Sequence, residues 1–405
     1  RRRSSVRLHH DTRTADGPVP EEIKRMDPLE ARSLIPLTAH YIHMNHAGLS
    51  PMTERSRAAI EQVVDGALNR PYPAGTAFDE ADRVRELAAQ LINGSPDGIA
   101  LTRSTAHGLS LVAQGLHWKR GDNVVGAEWE YPANVYPWMA LAADGVEFRQ
   151  AKLVGGRVLP DAIFSMVDER TRVVALSHVE FWNGFRVDIE AIGAECRRRG
   201  IVFAVDVMQS VGALRVDVSR MPIDFCAAGA GKWLLGPPGV GFCYFTSELL
   251  EKVRPRVVGA VSVAAHDQYF DPKLSFAPTA RRFEESVVSM LDTAAFGSAL
   301  DLLLEVGTEV IEARVLDLSA RLAGGLADRG YEVVEPWPRT RAESSGIVSF
   351  RKPGATHLEV LRDLNAARVI ARTHRDFVRL SPHFYNTEDE IDRVLEVLTP
   401  ETVTR

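Results

Sequence analysis

Two short runs decide the fold of this chain: AVDVMQS at residues 204–210 and GAGKWLLGPPGVG at residues 229–241. Similar apolar runs surround them, namely VVGAEWE, VVALSHV, IVFAVDV, DFCAAGA and GVGFCYF, and helical patterns separate some of these runs. Runs this continuous are typical of strands that are buried on both faces. Between residues 77 and 246 the order of strand and helix patterns therefore predicts an α/β fold with a mostly parallel central sheet.

Beyond about residue 270 the pattern changes to that of a smaller α+β domain. A helical run begins with TAAFGSALDLLLEVG and continues to about residue 329, and short strands are expected near 331–334 and 346–350. Thr387 and Glu390 have the spacing of a capping box, which predicts a final helix. We expect a disordered extension over 1–34, an N-terminal arm and helix over 35–76, a large domain over 77–268 and a small C-terminal domain over 269–405.

Composition limits the classes of function. The chain has 405 residues, of which 45% are hydrophobic and 25% are charged, as in ordinary globular proteins. Its formal net charge of -6 gives no general attraction to nucleic acid or to anionic membranes. No apolar stretch approaches the roughly 18 to 20 residues that span a bilayer. We therefore expect a cytoplasmic protein with small-molecule partners, no nucleic acid and no membrane.

The cysteines predict the absence of a disulfide framework and of a metal site. Cys196, Cys226 and Cys243 are too few and too scattered for a disulfide framework or a metal site. Cys196 lies in a helical pattern and the other two lie in apolar strand patterns, so we expect three buried thiols and no bound metal.

Lys232 is the first candidate for chemistry. The glycines around it allow close approach of the backbone, but a P-loop is excluded because Cys226 stands where its first glycine is required and Trp233 follows the lysine. An ordinary lysine in a turn would be exposed, whereas here an apolar strand precedes it and Trp-Leu-Leu follows. A buried ammonium group is costly unless it is paired or neutralised, and formation of a Schiff base removes that cost.

Asp206 is the second candidate, since it follows the five apolar residues IVFAV and so ends a strand. A lone aspartate at this position is commonly a helix cap or a turn former. Gln209, one helical turn further on, could contact a second atom of the same ligand. A carboxylate that holds a protonated ring nitrogen and a lysine that forms a Schiff base are what a pyridoxal phosphate enzyme requires.

Five further residues, at three places in the chain, fit a phosphorylated, planar ligand and an amino-acid substrate. Ser104 and Thr105 open a helix directly after a strand, which is either a plain helix cap or an anion site. Tyr131 and Asn134 follow another strand, and the tyrosine ring could stack on a planar ligand or fill the core. Arg379 lies in a strand-like run, where it could bind a carboxylate or form a surface ion pair.

Together these motifs resemble the class V aminotransferase family of pyridoxal phosphate enzymes, which includes cysteine desulfurases, selenocysteine lyases, isopenicillin N epimerase and kynureninase. The motifs are DVMQS with AAGAGKWLLGPPGVG, RSTAHG, EYPANVYPW, SHVEFWNGFRVD and VRLSPHFYNTEDEID, and the resemblance covers about residues 41–398. It implies fold type I, with a large domain and a smaller α+β C-terminal domain. It also implies a homodimer whose active sites are shared between the subunits.

The resemblance assigns roles residue by residue. It implies that Lys232 is the Schiff-base lysine and acid/base, that Asp206 pairs with the pyridinium nitrogen and that Gln209 contacts the phenolic oxygen. Tyr131 would stack on the cofactor, with Asn134 as the polar residue after it. The remaining assignments are Ser104, Thr105 and Ala106 for the phosphate, Ser286 for a phosphate contact from the partner subunit, and Arg379, Asn45, His46 and Gly48 for the substrate.

Departures from the family pattern narrow the expected reaction. Gly229 and Gly231 replace the serine and histidine of Ser-x-His-Lys, and Ser286 and Val287 replace Gly-Thr at the contact from the partner subunit. Desulfurases that form a persulfide need a mobile cysteine in the small domain, and the corresponding stretch NAARVIARTHRDF contains none.

We therefore expect an enzyme that acts on an amino acid through an α-carbanion. A β-eliminating C–S lyase acting on an S-substituted cysteine is favoured over a class V aminotransferase or an epimerase. A catalytically silent protein that binds pyridoxal phosphate or another phosphate ligand is the alternative of a different class.

Overall fold

The predicted apolar runs form five strands of a seven-stranded sheet in the computed structural model, which describes residues 25–70, 76–268 and 270–398. Its order is β2-β8-β7-β6-β5-β3-β4, and β8 runs antiparallel to both of its neighbours while the other pairs are parallel. The strands of the described residues are β1 (Ile42–His43), β2 (Ile99–Thr102), β3 (Asn123–Ala127), β4 (Glu147–Ala151), β5 (Thr171–Ser177), β6 (Val202–Asp206), β7 (Phe225–Gly229), β8 (Gly241–Phe245), β9 (Glu332–Val333), β10 (Val348–Arg351), β11 (Val369–Ile370), β12 (Arg372–His374) and β13 (Phe377–Leu380). The predicted α/β fold with a mostly parallel sheet is confirmed.

Helices cover both faces of this sheet and build the C-terminal part. Within the described residues they are α1 (Pro28–Arg32), α2 (Glu54–Asn69), α3 (Thr76–Leu91), α4 (Thr105–Gly115), α5 (Tyr136–Met139), α6 (Pro160–Phe164), α7 (Ile189–Arg199), α8 (Ser247–Leu250), α9 (Met290–Val306), α10 (Thr308–Asp328), α11 (His357–Ala366) and α12 (Glu388–Val397). The capping box of Thr387 and Glu390 begins α12 as predicted. None of the helices in the described ranges has the length and apolar character needed to cross a membrane.

The register of the central parallel strands places several of their ends side by side. Asp206, the last residue of β6, lies opposite Ser177 of β5 and Ala227 of β7. Because these strands are parallel, the loops that follow them leave the sheet at the same edge. In open α/β sheets that carboxyl edge is where ligands bind.

The C-terminal part contains a second, antiparallel sheet in the order β12-β13-β10-β9. It packs with α10, α11 and α12 around a separate apolar core. Strand β1, near the N-terminus, pairs in parallel with β11, so the N-terminal arm joins the C-terminal part. Helix α9 instead packs on α2 and α3 and shares the core of the large sheet. The boundary predicted at residues 268 and 269 stays a prediction.

Two local expectations need correction. The helical run expected to continue to about residue 329 is broken at Gly307, whose φ of 90° is outside the helical region and separates α9 from α10. The expected disordered extension over 1–34 lies outside the described residues up to residue 24. Its last part is ordered, since Ala31 of α1 is fully buried and Arg32 pairs with Glu390 at 2.8 Å.

Candidate active site

A cavity of about 290 Å³ opens at the carboxyl edge of the seven-stranded sheet. Loops that follow β2, β3, β5, β6 and β7 form most of its wall. The predicted residues that line it are Gly48, Ser104, Thr105, Ala106, Tyr131, Asp206, Gln209 and Lys232. The structure thus brings together residues that are up to 184 positions apart, counted from 48 to 232.

Asp206 is a buried carboxyl without an ion pair in the described part of the chain. Burial raises its pKa to about 6, and a hydrogen bond from the Met208 backbone N–H and the charge of Lys232 oppose this only in part. The Met208 N–H donates to Oδ1 over 2.8 Å. The electrostatics of the site therefore favour a cationic group beside this carboxyl.

Lys232 lies in the turn after β7, half-buried, with its amine facing the cavity. Its Nζ lies 5.2 Å from the centre of the Tyr131 ring. Burial and the charge of Arg379 together lower the pKa of the amine to about 8, and Asp206 partly opposes the shift. An amine with this pKa is unprotonated in a useful fraction at neutral pH, so it can act as a nucleophile and as a base.

The N-terminus of α4 supplies donors at the cavity wall. Ser104 is the N-cap and its Oγ accepts from the His107 N–H, so the cap interpretation of this serine is correct. The first N–H groups of a helix have no acceptor within the helix and face anions favourably. Thr105 Oγ1 accepts from the Gly229 N–H over 3.1 Å, which ties the helix start to the end of β7. The wall is therefore suited to a phosphate group.

Gln209 and Tyr131 occupy fixed positions on the wall. The Gln209 amide donates to the Ala47 carbonyl oxygen over 3.1 Å and accepts from Trp233 Nε1 over 2.9 Å. Its Nε2 keeps a second N–H for a ligand. The Tyr131 ring is 45% exposed and packs edge-on against Phe181, so one of its faces is free to cover a planar molecule.

Sequence reasoning missed the contact between Glu130 and Ser177. Glu130 is buried and accepts two hydrogen bonds from Ser177, one from the N–H over 2.6 Å and one from Oγ over 2.5 Å. Burial raises the pKa of Glu130 to about 7. Ser177 also lines the cavity, and the argument that selected Asp206 could have found it, since both residues end apolar strands.

Arg379 lies on β13, behind Phe181 and outside the cavity wall. It is 2% exposed, its Nη1 donates to the Phe181 carbonyl oxygen over 2.7 Å, and its Nε has no partner in the described residues. Burial lowers the pKa of the guanidinium group to about 10. A buried guanidinium group with an orphaned N–H and no carboxylate partner is suited to an anionic ligand.

The residues from Asn45 to Gly48 lie in two different environments. Gly48 lines the cavity and packs directly on the Asn45 amide, so a Cβ at Gly48 would lie 2.5 Å from Asn45 Oδ1. His46 points away into a buried cluster. Its Nδ1 donates to the Ser381 carbonyl oxygen, and its Nε2 accepts from the Tyr385 hydroxyl over 2.6 Å. Burial lowers the pKa of His46 well below its ordinary value.

Two other predicted residues lie off the cavity wall. Asn134 is fully buried and accepts from Trp138 Nε1 over 3.1 Å. Ser286 lines a neighbouring pocket, which shares Arg103, Gly239 and Val240 with the main cavity. In a single chain this serine therefore lies next to the site rather than in it.

Local packing explains one of the two glycines that depart from the family pattern. A Cβ on Gly231 would lie 3.2 Å from Pro238 Cα, within the rigid Gly-Pro-Pro-Gly turn, whereas a Cβ on Gly229 would meet only the flexible end of Met208 at 3.4 Å. No histidine fits at position 231 without movement of this turn.

We therefore expect Gly231→Ala to lower the free energy of unfolding by about 1–3 kcal/mol, as overpacking does. Gly229→Ala is the matched control and should change it by less than about 0.5 kcal/mol. Urea denaturation of both variants measures the difference. Equal stabilities of the two variants would contradict the packing explanation.

The three thiols are buried, as predicted. Burial raises the pKa of Cys196 and of Cys226 to about 12, and it raises the pKa of Cys243 well above the ordinary value. None of the three lines the cavity. Residues 25–70, 76–268 and 270–398 contain no group of three or more side chains arranged to hold a metal ion.

Comparison with known proteins identifies the family. The family model for aminotransferase class-V matches residues 71–394. An uncharacterised aminotransferase of Schizosaccharomyces pombe is 30% identical over 91% of this chain and 94% of its own length, and isopenicillin N epimerase of Streptomyces clavuligerus is 30% identical over 91% and 97%. The solved structure of the cystine C–S lyase C-DES with cysteine persulfide is 26% identical, with a TM-score of 0.83 over 90% of this chain and 98% of that one.

The chain belongs to the class V aminotransferase family. The resemblance drawn from its motifs is therefore confirmed, and with it fold type I and a pyridoxal-phosphate-dependent enzyme. The described residues fit this cofactor on their own chemistry. The cavity holds an amine, a buried acid that favours a cation, free N–H groups at a helix start and an exposed aromatic face.

Proposed function

We propose that this protein is a β-eliminating C–S lyase that acts on an S-substituted cysteine without a protein-bound persulfide. The observation that carries the proposal is that the cavity presents one reactive amine, Lys232, while every thiol of the described chain is buried elsewhere with a raised pKa. A desulfurase that stores sulfur on a cysteine needs an accessible thiolate. Elimination needs only a base, the cofactor and a bound amino acid.

In this proposal five residues or segments of the cavity wall would hold pyridoxal phosphate. Lys232 would bind the aldehyde carbon, Asp206 would pair with the ring nitrogen, and the free N–H of Gln209 would donate to the ring hydroxyl. Tyr131 would cover one face of the ring, and the first N–H groups of α4 would bind the phosphate. The cofactor supplies an electron sink for the α-carbon of the bound amino acid.

Arg379 binds the α-carboxylate of the substrate, for which its orphaned Nε and its lack of an acidic partner are suited. This requires the Phe181 segment that separates Arg379 from the cavity to move. The substrate then lies with its α-hydrogen toward Lys232. The lowered pKa of the lysine amine, about 8, lets it accept that proton near neutral pH.

The reaction balances without an oxidant. Lys232 takes the α-proton, the electron pair forms the Cα–Cβ double bond, and the pair of the Cβ–S bond leaves with sulfur. The lysine ammonium group is placed to protonate the departing thiolate. Hydrolysis of the released enamine completes the conversion of one S-substituted cysteine and one water into one thiol, one pyruvate and one ammonium ion.

The test is a product assay with the holoenzyme and a panel of S-alkyl and S-aryl cysteines. We expect equal amounts of thiol and pyruvate, with no requirement for a keto-acid acceptor. Pyruvate that forms only when a keto acid is added would indicate transamination. Loss of optical activity without thiol release would indicate epimerisation, and either result would overturn the proposal.

Arg379→Gln should raise the KM for S-substituted cysteines by about 10²-fold, because a charge-assisted contact to the carboxylate is lost from a buried position. The value of kcat should change much less, since the proton-transferring groups remain. Steady-state kinetics of thiol release measures both constants. A fall in kcat with an unchanged KM would show that Arg379 does not bind the substrate.

We also propose that the enzyme is a homodimer with shared sites, as the family resemblance implies. The position of Ser286 supports this, because the serine lines a pocket that adjoins the cavity rather than the cavity itself. The predicted cytoplasmic location stays a prediction.

A further inference from the structure

Beside the cavity, an arginine pair lies on the small antiparallel sheet without an acidic partner. Arg372 of β12 lies directly opposite Arg379 of β13. Residues opposite one another in an antiparallel pair have their side chains on the same face, and like charges there are destabilising. Within the described residues neither arginine forms an ion pair with a carboxylate. Arg372 is exposed, so it adds positive charge at the edge of the site.

The surroundings of this pair are cationic and aromatic. His374 shares the face with Arg372, its Nε2 is buried without a partner, and its ring packs edge-on against Phe181 at 5.7 Å. Burial lowers the pKa of His374, and the charges of Arg379, Arg372 and Lys232 contribute to the shift, which brings the pKa to about 4. Phe181 lines the cavity, so this face of the sheet adjoins the place where the substrate side chain extends.

A third arginine occupies the same edge. The guanidinium carbon of Arg375 lies 4.4 Å from the centre of the Trp129 ring, and no carboxylate of the described residues pairs with it. Trp129 is 48% exposed and lies two residues before Tyr131, which lines the cavity. Arg372 and Arg379 thus lie side by side near the cavity, and a single α-carboxylate would pair with only one of them.

We propose that the natural substrate carries a second anionic group on its side chain, which Arg372 binds while Arg379 binds the α-carboxylate. This inference rests on the proposed function and specifies its class of substrate. Opposite Cβ atoms in such a pair are roughly 5 Å apart. The second anion, a carboxylate or an oxyanion of sulfur, therefore lies a few bonds beyond the β-carbon, past the sulfur atom that leaves.

The test compares two nearly isosteric compounds on the holoenzyme, S-(2-carboxyethyl)-L-cysteine and S-(2-carbamoylethyl)-L-cysteine. Affinity is measured from the change in the visible absorption of the bound cofactor, and turnover from thiol release. We expect the carboxylate compound to bind about five- to tenfold more tightly, and this ratio to fall to within about twofold in Arg372→Gln.

Arg172→Gln is the matched control, since Arg172 is exposed at the opposite end of β5 and removal of its charge leaves the site unchanged. It should keep the full preference for the carboxylate. The melting temperature of Arg372→Gln should not fall, because a repulsive pair is removed, whereas a purely structural role would lower it.

Equal affinity for the two compounds, or an unchanged ratio in Arg372→Gln, would overturn the inference. The result of this test can be distinguished from a failure of the proposed function. Preferential binding without thiol release would contradict the lyase and support the second anion site. Equal thiol release from both compounds would support the lyase and contradict the second anion site.

Discussion

Replacing Lys232 by alanine should remove the visible absorption of the holoenzyme and reduce turnover by roughly 10⁴-fold or more, as loss of a central catalytic group does. The reason is that, in the proposed function, the amine of Lys232 is both the covalent attachment point and the base. Cofactor that remains in the variant should be removed by gel filtration. Absorption spectra and thiol release before and after gel filtration measure the two effects.

Lys252→Ala is the control for this variant, because Lys252 is an exposed lysine at the end of α8. It should keep both the absorption and the activity of the parent protein. If Lys232→Ala retained a covalently bound cofactor and measurable elimination, another lysine would be the attachment point and the site described above would be wrong.

Asp206→Asn should stabilise the cofactor-free protein while it destroys activity. Asparagine keeps the shape and the acceptor for the Met208 N–H, but it removes the charge that faces the ring nitrogen in the proposed function. Removal of one partner of a buried ion pair costs about 3–5 kcal/mol, which corresponds to a loss of roughly 10²- to 10⁴-fold in rate. Steady-state kinetics of thiol release measures this loss of rate.

The stability effect depends on pH, and its sign follows from the raised pKa. The pKa of Asp206 is about 6 in the folded protein against an ordinary value of 3.8. Between these values the folded state binds more protons than the unfolded state, so the stability of the cofactor-free protein falls as pH rises. At pH 7.5 the variant should therefore be more stable by on the order of 2–3 kcal/mol, and at pH 3.5 the difference should vanish.

Urea denaturation of the cofactor-free wild type and variant at the two pH values measures this difference. A variant that is less stable than the wild type at pH 7.5 would show that Asp206 has a structural partner in the ligand-free protein. Its proposed role as a carboxylate held for the cofactor would then be contradicted.

Five strands of the large sheet could be predicted from the sequence because they are continuous apolar runs, whereas β4, with the sequence EFRQA, is mostly polar and partly exposed. The strand ends then placed Asp206 and Lys232 at one edge, and the same argument would have included Ser177. By contrast, β1 and β11 have two residues each, too few to show any periodicity. Their pairing, which joins the N-terminal arm to the C-terminal part, depends on tertiary packing.

The sequence could not predict the directions in which neighbouring side chains of one segment point. Asn45, His46 and Gly48 are neighbours in the chain, yet Gly48 lines the cavity and His46 is turned into a buried cluster with Tyr385. The register of β12 against β13, which places Arg372 opposite Arg379, likewise follows from the turn between the strands rather than from composition.

The central claim is that Lys232 carries pyridoxal phosphate with Asp206 beside it. Reduction of the holoenzyme with borohydride, digestion with trypsin and mass spectrometry of the peptides test it most directly. We predict the added mass of the reduced cofactor on the peptide of residues 221–252, since trypsin does not cut after a modified lysine. The same mass on a peptide that lacks Lys232, or on no peptide, would contradict the account.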